Sequence, residues 1–482
     1  MTAIEEVQRP GRRDLLRAIL PALTWLANPA AIFVLLSAMF GTAIVAITPP
    51  LRGPDETAHF LRAYGIAQGA IIPSQADAQG RKGIFLAPHF YQQFALFEAR
   101  YAHERTPFRA AAGEPVFESE APSAKSKPVF VPYAGSEGYT PASYLPHVAA
   151  AFVARLIGLD FVATLYAMRL TGLAAMTLVA AYAIVLVPSL KWAFVAIAML
   201  PAALYGRSVI NADGGTLVFT MVVAALCLRG TALPQGRALH ALWMTLCVLS
   251  KPPNIAFIAL EAMRAPIKDL ARHWRSLLLV IGPAVAAALV WTAASAGNAG
   301  TWRLVVLTGR PPEQFDPAWK LRFILEQPLH FPTAVLASFS DPGEFGRQLI
   351  GVLGLFDTVL QPWVYPVLGL ALVLACLTPI ELSTRARHRA AAAAAASAAA
   401  YAFAVFVIFY LVWTPVDADQ VWGVQGRYFI PALPSLVIVL SCLVDRGLPD
   451  GTRAVIALLG ALLSGAACIE AIWRVEWNPV AS

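Results

Sequence analysis

Two adjacent carboxylates, a histidine and an arginine stand together in Pro54-Asp55-Glu56-Thr57-Ala58-His59-Phe60-Leu61-Arg62, just after a strongly apolar run from Ala30 to Ile47. A carboxylate can take a proton from a hydroxyl, an imidazole can pass one on, and a guanidinium can hold a phosphate. Pro54 followed by Asp55 is a helix-start signal, and Asp is a good N-cap type. A helix opening there puts Asp55, His59 and Arg62 at i, i+4 and i+7, one face of two turns. Acid–base groups at a water–lipid boundary suit an enzyme that acts on a lipid-linked substrate. A capped interfacial helix with solvated charges accounts for the same residues without chemistry.

The surroundings of that motif follow from composition. Of 482 residues, 58% are hydrophobic and only 13% are charged, against roughly 25% charged in soluble chains. Apolar stretches of about bilayer-spanning length recur along the chain. The expected class is an all-α polytopic membrane protein. Five cysteines, Cys227, Cys247, Cys376, Cys442 and Cys468, all lie in apolar segments, which implies neither a disulfide framework nor a zinc site. The net charge of +7 comes from basic residues clustered in short loops beside apolar spans. Membrane topology explains that better than nucleic acid does.

Residues 1–29, with Arg9, Arg12, Arg13 and Arg17, are expected in the cytoplasm, and 14–27 to form a short helix on the inner surface. The run that follows is long for a cleaved signal and ends at Pro49-Pro50, so 30–49 is expected to be an uncleaved first span. Residues 50–139 form a near-neutral extracytoplasmic loop with nine acidic and nine basic residues. Within it, Phe90, Phe94, Phe97 and Tyr101 repeat at helical spacing. That stripe suits an interfacial helix on the membrane, or one packed inside a small extracytoplasmic domain. A transmembrane bundle over 140–297, a second outer loop over 298–361 and C-terminal transmembrane helices over 362–482 complete the plan.

Eleven spans, with the apolar segments 142–158 and 238–262 each counted as one, place Arg264, Lys268, Arg272 and Arg275, and then Arg385, Arg387 and Arg389, in cytoplasmic loops. One conflict remains. The same count puts Arg229 and Arg237 outside and Asp213 inside, against the charge rule. A re-entrant or broken helix around Ser250-Lys251-Pro252-Pro253 would flip that region.

Ionisable residues inside or beside spans are costly and often functional. Lys251 is a candidate, as against a snorkelling lysine at a helix end. Arg169 is either a topology anchor or a phosphate contact. Arg427, followed by Tyr428 and Phe429 at a span mouth, suits bidentate pairing with a lipid phosphate, or plain interfacial anchoring. Asp357 in Gly354-Leu355-Phe356-Asp357-Thr358 has a helix cap as its simpler reading. No phosphate-binding GxxxxGK[ST] loop, HExxH motif or spaced Cys/His pattern occurs, so an activated donor is expected to be lipid-linked.

Pro-Asp-Glu-x-Ala-His-Phe-x-Arg-Ala-Tyr (Pro54 to Tyr64), Tyr144-Leu145-Pro146, Ser250-Lys251-Pro252-Pro253, Gly354-Leu355-Phe356-Asp357-Thr358 and Gly426-Arg427-Tyr428-Phe429 follow one another in order. Over about residues 30–445 the chain resembles a bacterial multi-pass family of unknown function that is itself similar to GT-C-fold glycosyltransferases. The resemblance implies a GT-C-like bundle in the bacterial inner membrane. It also implies sugar transfer from a polyprenyl-phosphate carrier to a cell-envelope glycan or lipid acceptor on the outer face.

In that reading Asp55 is the base with Glu56 beside it, and Asp213 is the second acidic position. Arg427 with Lys251 or Arg169 would stabilise the leaving phosphate. His59, Arg62, Tyr144, Asp357 and Tyr428 would complete the substrate site. No cofactor is required, although Asp55 and Glu56 could hold a divalent ion. Membrane lipids are partners and nucleic acid is not. Two rival readings are a transporter or flippase for a lipid-linked sugar and a non-catalytic membrane subunit of a polysaccharide assembly complex.

Overall fold

The computed structural model describes residues 28–105, 107–108, 127–230, 236–264, 270–296, 304–305 and 308–478. The expected surface helix at 14–27 and Lys268 lie outside these. Helix α1 (Pro29–Ile47) opens on Asn28, whose side chain accepts the Ala30 amide at 3.0 Å, with Pro29 in the first turn. Helix α2 (Glu56–Ala67) follows a tight turn. Strand β1 (Gly83–Leu86) pairs antiparallel with β2 (Val129–Pro132), and α3 (Pro88–Phe97) lies between them in sequence. Then come α4 (Leu145–Leu156), α5 (Phe161–Leu186), α6 (Lys191–Ala198), α7 (Pro201–Ser208), α8 (Asp213–Arg229) and α9 (Gly236–Ser250). A 3-10 helix (Pro252–Met263) and α10 (Leu270–Ala294) lead to three shorter helices, α11 (Pro317–Glu326), α12 (His330–Ala337) and α13 (Pro342–Gly351). A small hairpin, β3 (Val352–Leu353) and β4 (Thr358–Val359), precedes α14 (Val364–Cys376) and α15 (Thr384–Val412). A 3-10 turn (Gly426–Ala432) runs into α16 (Leu433–Leu443), and α17 (Asp450–Ile472) ends in a π turn (Trp473–Trp477).

Among the described residues six helical segments are long and apolar enough to cross a membrane, and α7 with α8 passes as a further pair bent by 117°. The chain is therefore an all-α polytopic membrane protein. Small residues let its helices approach closely. Gly465 of α17 lies so near Phe40 of α1 that a Cβ would fall 2.2 Å from the ring, and Gly41 meets Leu173 of α5 in the same way.

The hydrogen bonds define two ends. At one, Arg389 donates to the Met263 carbonyl, Arg387 to those of Cys442 and Val444, and Arg453 to Thr378. This basic end gathers the turns after the 3-10 helix, α14 and α16. At the other, Trp477 donates to the Ile47 carbonyl, Thr140 to that of Leu249, and Trp291 to that of Gly138. This end collects the first long loop, the start of α8 and the Ser250-Lys251 corner.

Two apolar segments differ from their expected form, and together they remove the charge conflict. Residues 142–158 do not run to the basic end. Helix α4 doubles back beside α5, with His147 against Gly172 and Arg155 donating to the Ala67 carbonyl of α2 at 2.5 Å. Residues 238–262 are broken at Lys251-Pro252, where two prolines cannot continue the hydrogen-bond ladder of α9. The 3-10 helix returns antiparallel to α9, so that Glu261 meets His240 at 2.7 Å. Asp213 consequently lies at the first-loop end, and Arg229 and Arg237 lie towards the basic one.

The aromatic stripe is buried in protein and does not face lipid. Phe90, Phe94 and Phe97 pack around Phe60 and Phe161, with Phe60–Phe161 centroids 5.2 Å apart and Tyr64–Phe90 4.9 Å apart. Helical period alone cannot distinguish the two environments.

Ser74 and Ser383 are both exposed, at opposite ends, and all five cysteines are buried. Single Ser74→Cys and Ser383→Cys variants in oriented membrane vesicles should react with an impermeant thiol reagent from opposite sides. Labelling of both from one side would contradict the arrangement.

Candidate functional site

The turn between α1 and α2 is held open by buried charges. Arg52 donates from Nε to Glu476 at 2.7 Å and from Nη1 to Asp357 at 3.0 Å, which ties the turn to the C-terminal π turn and to the β3–β4 hairpin. Leu51 and Asp55 both adopt left-handed backbone, with φ of 63° and 53°. That conformation is uncommon outside glycine, and Asn and Asp tolerate it best. Asp55 therefore stands at the head of α2 without capping it, contrary to expectation; no side-chain cap bond is formed there. Glu56 instead reaches back, its Oε2 accepting the Gly53 amide at 3.0 Å.

Adjacent in sequence, Asp55 and Glu56 part company in space. Glu56 is bound bidentately by Arg169 at 2.8 and 2.6 Å, and both side chains are fully buried. Its Oε1 also accepts the Ile210 amide at 3.0 Å. Arg169 spends its other donors on the carbonyls of Thr48 and Pro49 at 2.7 and 2.8 Å. This pair fastens the turn to α5, with both Glu56 oxygens and four of the five Arg169 donors engaged within the protein. Glu56, expected beside the catalytic base, and Arg169, expected at a phosphate, are here held by each other and by the backbone. With both Glu56 oxygens engaged, Asp55 and Glu56 do not fit a divalent ion.

Arg62 also leaves the expected face. Its guanidinium donates to the carbonyls of Tyr139, Ala70 and Ile71 at 2.7–3.0 Å and is fully buried. It clamps the two ends of the first loop. Asp357 closes the hairpin turn, accepting the Leu355 amide at 3.1 Å besides Arg52. It caps no helix.

The remaining candidates converge. Arg427 Nη2 donates to Asp55 at 2.9 Å and to the Tyr428 hydroxyl at 3.1 Å, while Nη1 lies 3.7 Å from Asp213. Lys251 forms an ion pair with Asp213 and sits 4.9 Å above the Tyr428 ring. Phe356, from the hairpin, covers the guanidinium at 4.5 Å. On the other side His59 Nδ1 and the Tyr144 hydroxyl are 2.5 Å apart. Burial pushes His59 down to about 4, against the pull of Asp55 and Asp213, so the ring is neutral at pH 7. Four segments distant in sequence thus supply two carboxylates and two cations to one locus.

Of the two carboxylates, Asp55 is the accessible one, half exposed, while Asp213 is three-quarters buried between its cations. Asp213 and Arg427 line a narrow cleft with Pro54, Tyr205, Asn211 and Val352. Its room for a water-sized sphere is about 30 Å³, enough for a water or two. Sequence reading missed Arg52, Glu476 and Phe356. Arg52 stands two residues before the first motif, whereas Glu476 lies beyond the last apolar segment with no pattern to flag it.

The family of predicted membrane proteins DUF2142 matches residues 38–436, and the chain belongs to it. Neither a curated protein nor a solved structure matches.

Two outcomes follow from this geometry. Glu56→Ala strands a buried guanidinium and should cost roughly 3–5 kcal/mol, whereas Asp55→Asn, at a half-exposed position, should leave thermal unfolding in detergent nearly unchanged. Equal stability of the two variants would contradict the division of roles. His59 titrates near 4 when folded and near 6.5 when unfolded, so the unfolded chain binds the extra proton between those values. Stability should fall as pH drops from about 6.5 towards 4, and His59→Asn should flatten part of that slope.

Proposed function

We propose that this DUF2142 protein is a GT-C-like glycosyltransferase that moves a sugar from a polyprenyl-phosphate donor to a cell-envelope glycan or lipid acceptor. The observation that carries the reading is the meeting of Asp55 with Arg427, Lys251 and Asp213 in a membrane protein, at the head of the first long loop. Two cations fixed by a recessed carboxylate suit a phosphate, and a second, exposed carboxylate beside them suits an acceptor hydroxyl.

We infer eleven crossings: α1, α5, α6 with α7, α8, α9, the 3-10 helix Pro252–Met263, α10, α14, α15, α16 and α17. The number equals the expected one but its members differ, since 142–158 drops out and 238–262 counts twice. By the charge rule the basic end is cytoplasmic and the site faces outward. Ser74→Cys is then the variant reached on intact cells, and the protein resides in a bacterial inner membrane.

Donor binding brings a phosphate to Arg427 and Lys251. The guanidinium exchanges Asp55 for this new anion, which frees the Asp55 carboxylate to face the acceptor. Asp55 takes the hydroxyl proton as the acceptor oxygen bonds to the anomeric carbon. The bond from that carbon to the phosphate oxygen breaks, its electron pair leaves with the phosphate, and configuration inverts. Asp213 holds both cations in aim throughout. His59, neutral and fixed by Tyr144, walls the acceptor side.

A flippase would need the cations but no base, and an assembly subunit would need neither. Purified protein with a polyprenyl-phosphate sugar separates these cases. Asp55→Asn should bind donor normally and lose at least about a hundredfold in transfer rate, the scale of general-base loss. Arg427→Lys keeps charge but not the planar fork, and should weaken donor binding. Near-wild-type turnover by Asp55→Asn would overturn the enzyme reading, and unchanged donor affinity in Arg427→Lys would overturn the phosphate assignment.

A further inference from the structure

At the opposite end of the bundle from Asp55, three metal-ligating side chains meet in a buried cluster. Cys227 comes from the last turn of α8, His240 from near the start of α9, and Glu261 from near the end of the 3-10 helix. Spacings of 13 and 34 residues from Cys227 match no linear metal motif, and the fold alone brings them together. His240 Nε2 lies 2.7 Å from Glu261 Oε1, Cys227 Sγ 3.2 Å from the same oxygen, and Sγ 3.9 Å from Nε2. All three side chains are buried. Burying a thiol, an imidazole and a carboxylate together in an apolar bundle is costly unless they serve one another or a shared ligand.

We propose that Cys227, His240 and Glu261 bind one divalent transition-metal ion, zinc foremost. The three distances define a triangle with a point about 2 Å from every corner, close to Zn–N and Zn–O bond lengths and a little short of Zn–S. A mixed S, N, O donor set suits a borderline ion, not magnesium or calcium. Three protein ligands leave a fourth position for water.

Arg264 is the competitor. Its Nη1 contacts His240 Nδ1 at 2.7 Å and Glu261 Oε2 at 3.2 Å. A guanidinium only donates, so Nδ1 accepts and the ring proton sits on Nε2, facing the other two donors. Metal entry forms bonds to Sγ, Nε2 and Oε1. The thiol proton leaves to solvent, the ring proton transfers to Nδ1, and Arg264 gives up the ring while keeping Oε2. Arg264 is only partly buried and lies beside the basic surface, where it can move. Metal affinity should therefore rise with pH and rise when Arg264 is neutralised.

The test uses the full-length protein, stripped with a chelator in detergent, then titrated with zinc against a chromophoric chelator and with cobalt by absorption. We expect one ion per chain, a thiolate-to-cobalt charge-transfer band, and zinc-dependent thermal stabilisation. Cys227→Ser should abolish the band and weaken zinc at least tenfold, and Glu261→Gln should weaken it with the band retained. Arg264→Gln should bind more tightly than wild type. Each variant is first shown folded by a monodisperse elution profile. Folded wild type without stoichiometric binding, or a Cys227→Ser variant that binds as well, would overturn the site. Weaker binding in Arg264→Gln would overturn the exchange.

Discussion

A carboxylate and a guanidinium taken out of water require each other, and the pair Glu56–Arg169 is the contact on which the site depends. Neither side chain is exposed, and every oxygen of Glu56 is used. Breaking such a pair leaves a buried charge, so the turn from Pro49 to Asp55 has one place to lie against α5. Arg52 adds a second fastening through Glu476 and Asp357. The left-handed backbone at Leu51 and Asp55 is what these restraints enforce. The result is a division between neighbours: one carboxylate is buried as a rivet, and the next is turned outward to Arg427.

The four charged groups of the site sum to zero, which is how a partly buried cluster can persist beside an apolar bundle. The same neutrality makes the site responsive. Under the proposed function an arriving phosphate would repel both carboxylates while attracting both cations, and the more exposed carboxylate is Asp55. Asp213 keeps its place because Lys251 and Arg427 grip it from two sides. The narrow cleft fits that picture, with Phe356 laid over the guanidinium by the hairpin.

Much of this was legible in the sequence, and the failures have physical causes. Composition gave the membrane class, and the types and positions of Asp55, Asp213, Lys251, Arg427 and Tyr428 marked residues that do meet. The family match to 38–436 agrees with the resemblance to a membrane family. Glu56, Arg169 and Arg62 misled because an ionisable side chain beside a span reads alike whether it faces a ligand or a backbone carbonyl. The aromatic stripe of α3 left two environments open because its period is the same against lipid and against Phe60 and Phe161. Apolar length misled at 142–158 and 238–262: the first segment turns back beside α5, and the second breaks at two prolines. The conflict over Asp213 was the trace of both errors, visible in the charges before its cause was.

The most direct test is a cryo-EM reconstruction of the protein with a polyprenyl phosphate bound in lipid nanodiscs. The phosphate should lie within hydrogen-bond distance of Arg427 and Lys251, with Asp55 released from Arg427 and Glu56 still locked to Arg169. A lipid phosphate bound elsewhere, with the Asp55–Arg427 pair intact, would contradict the account.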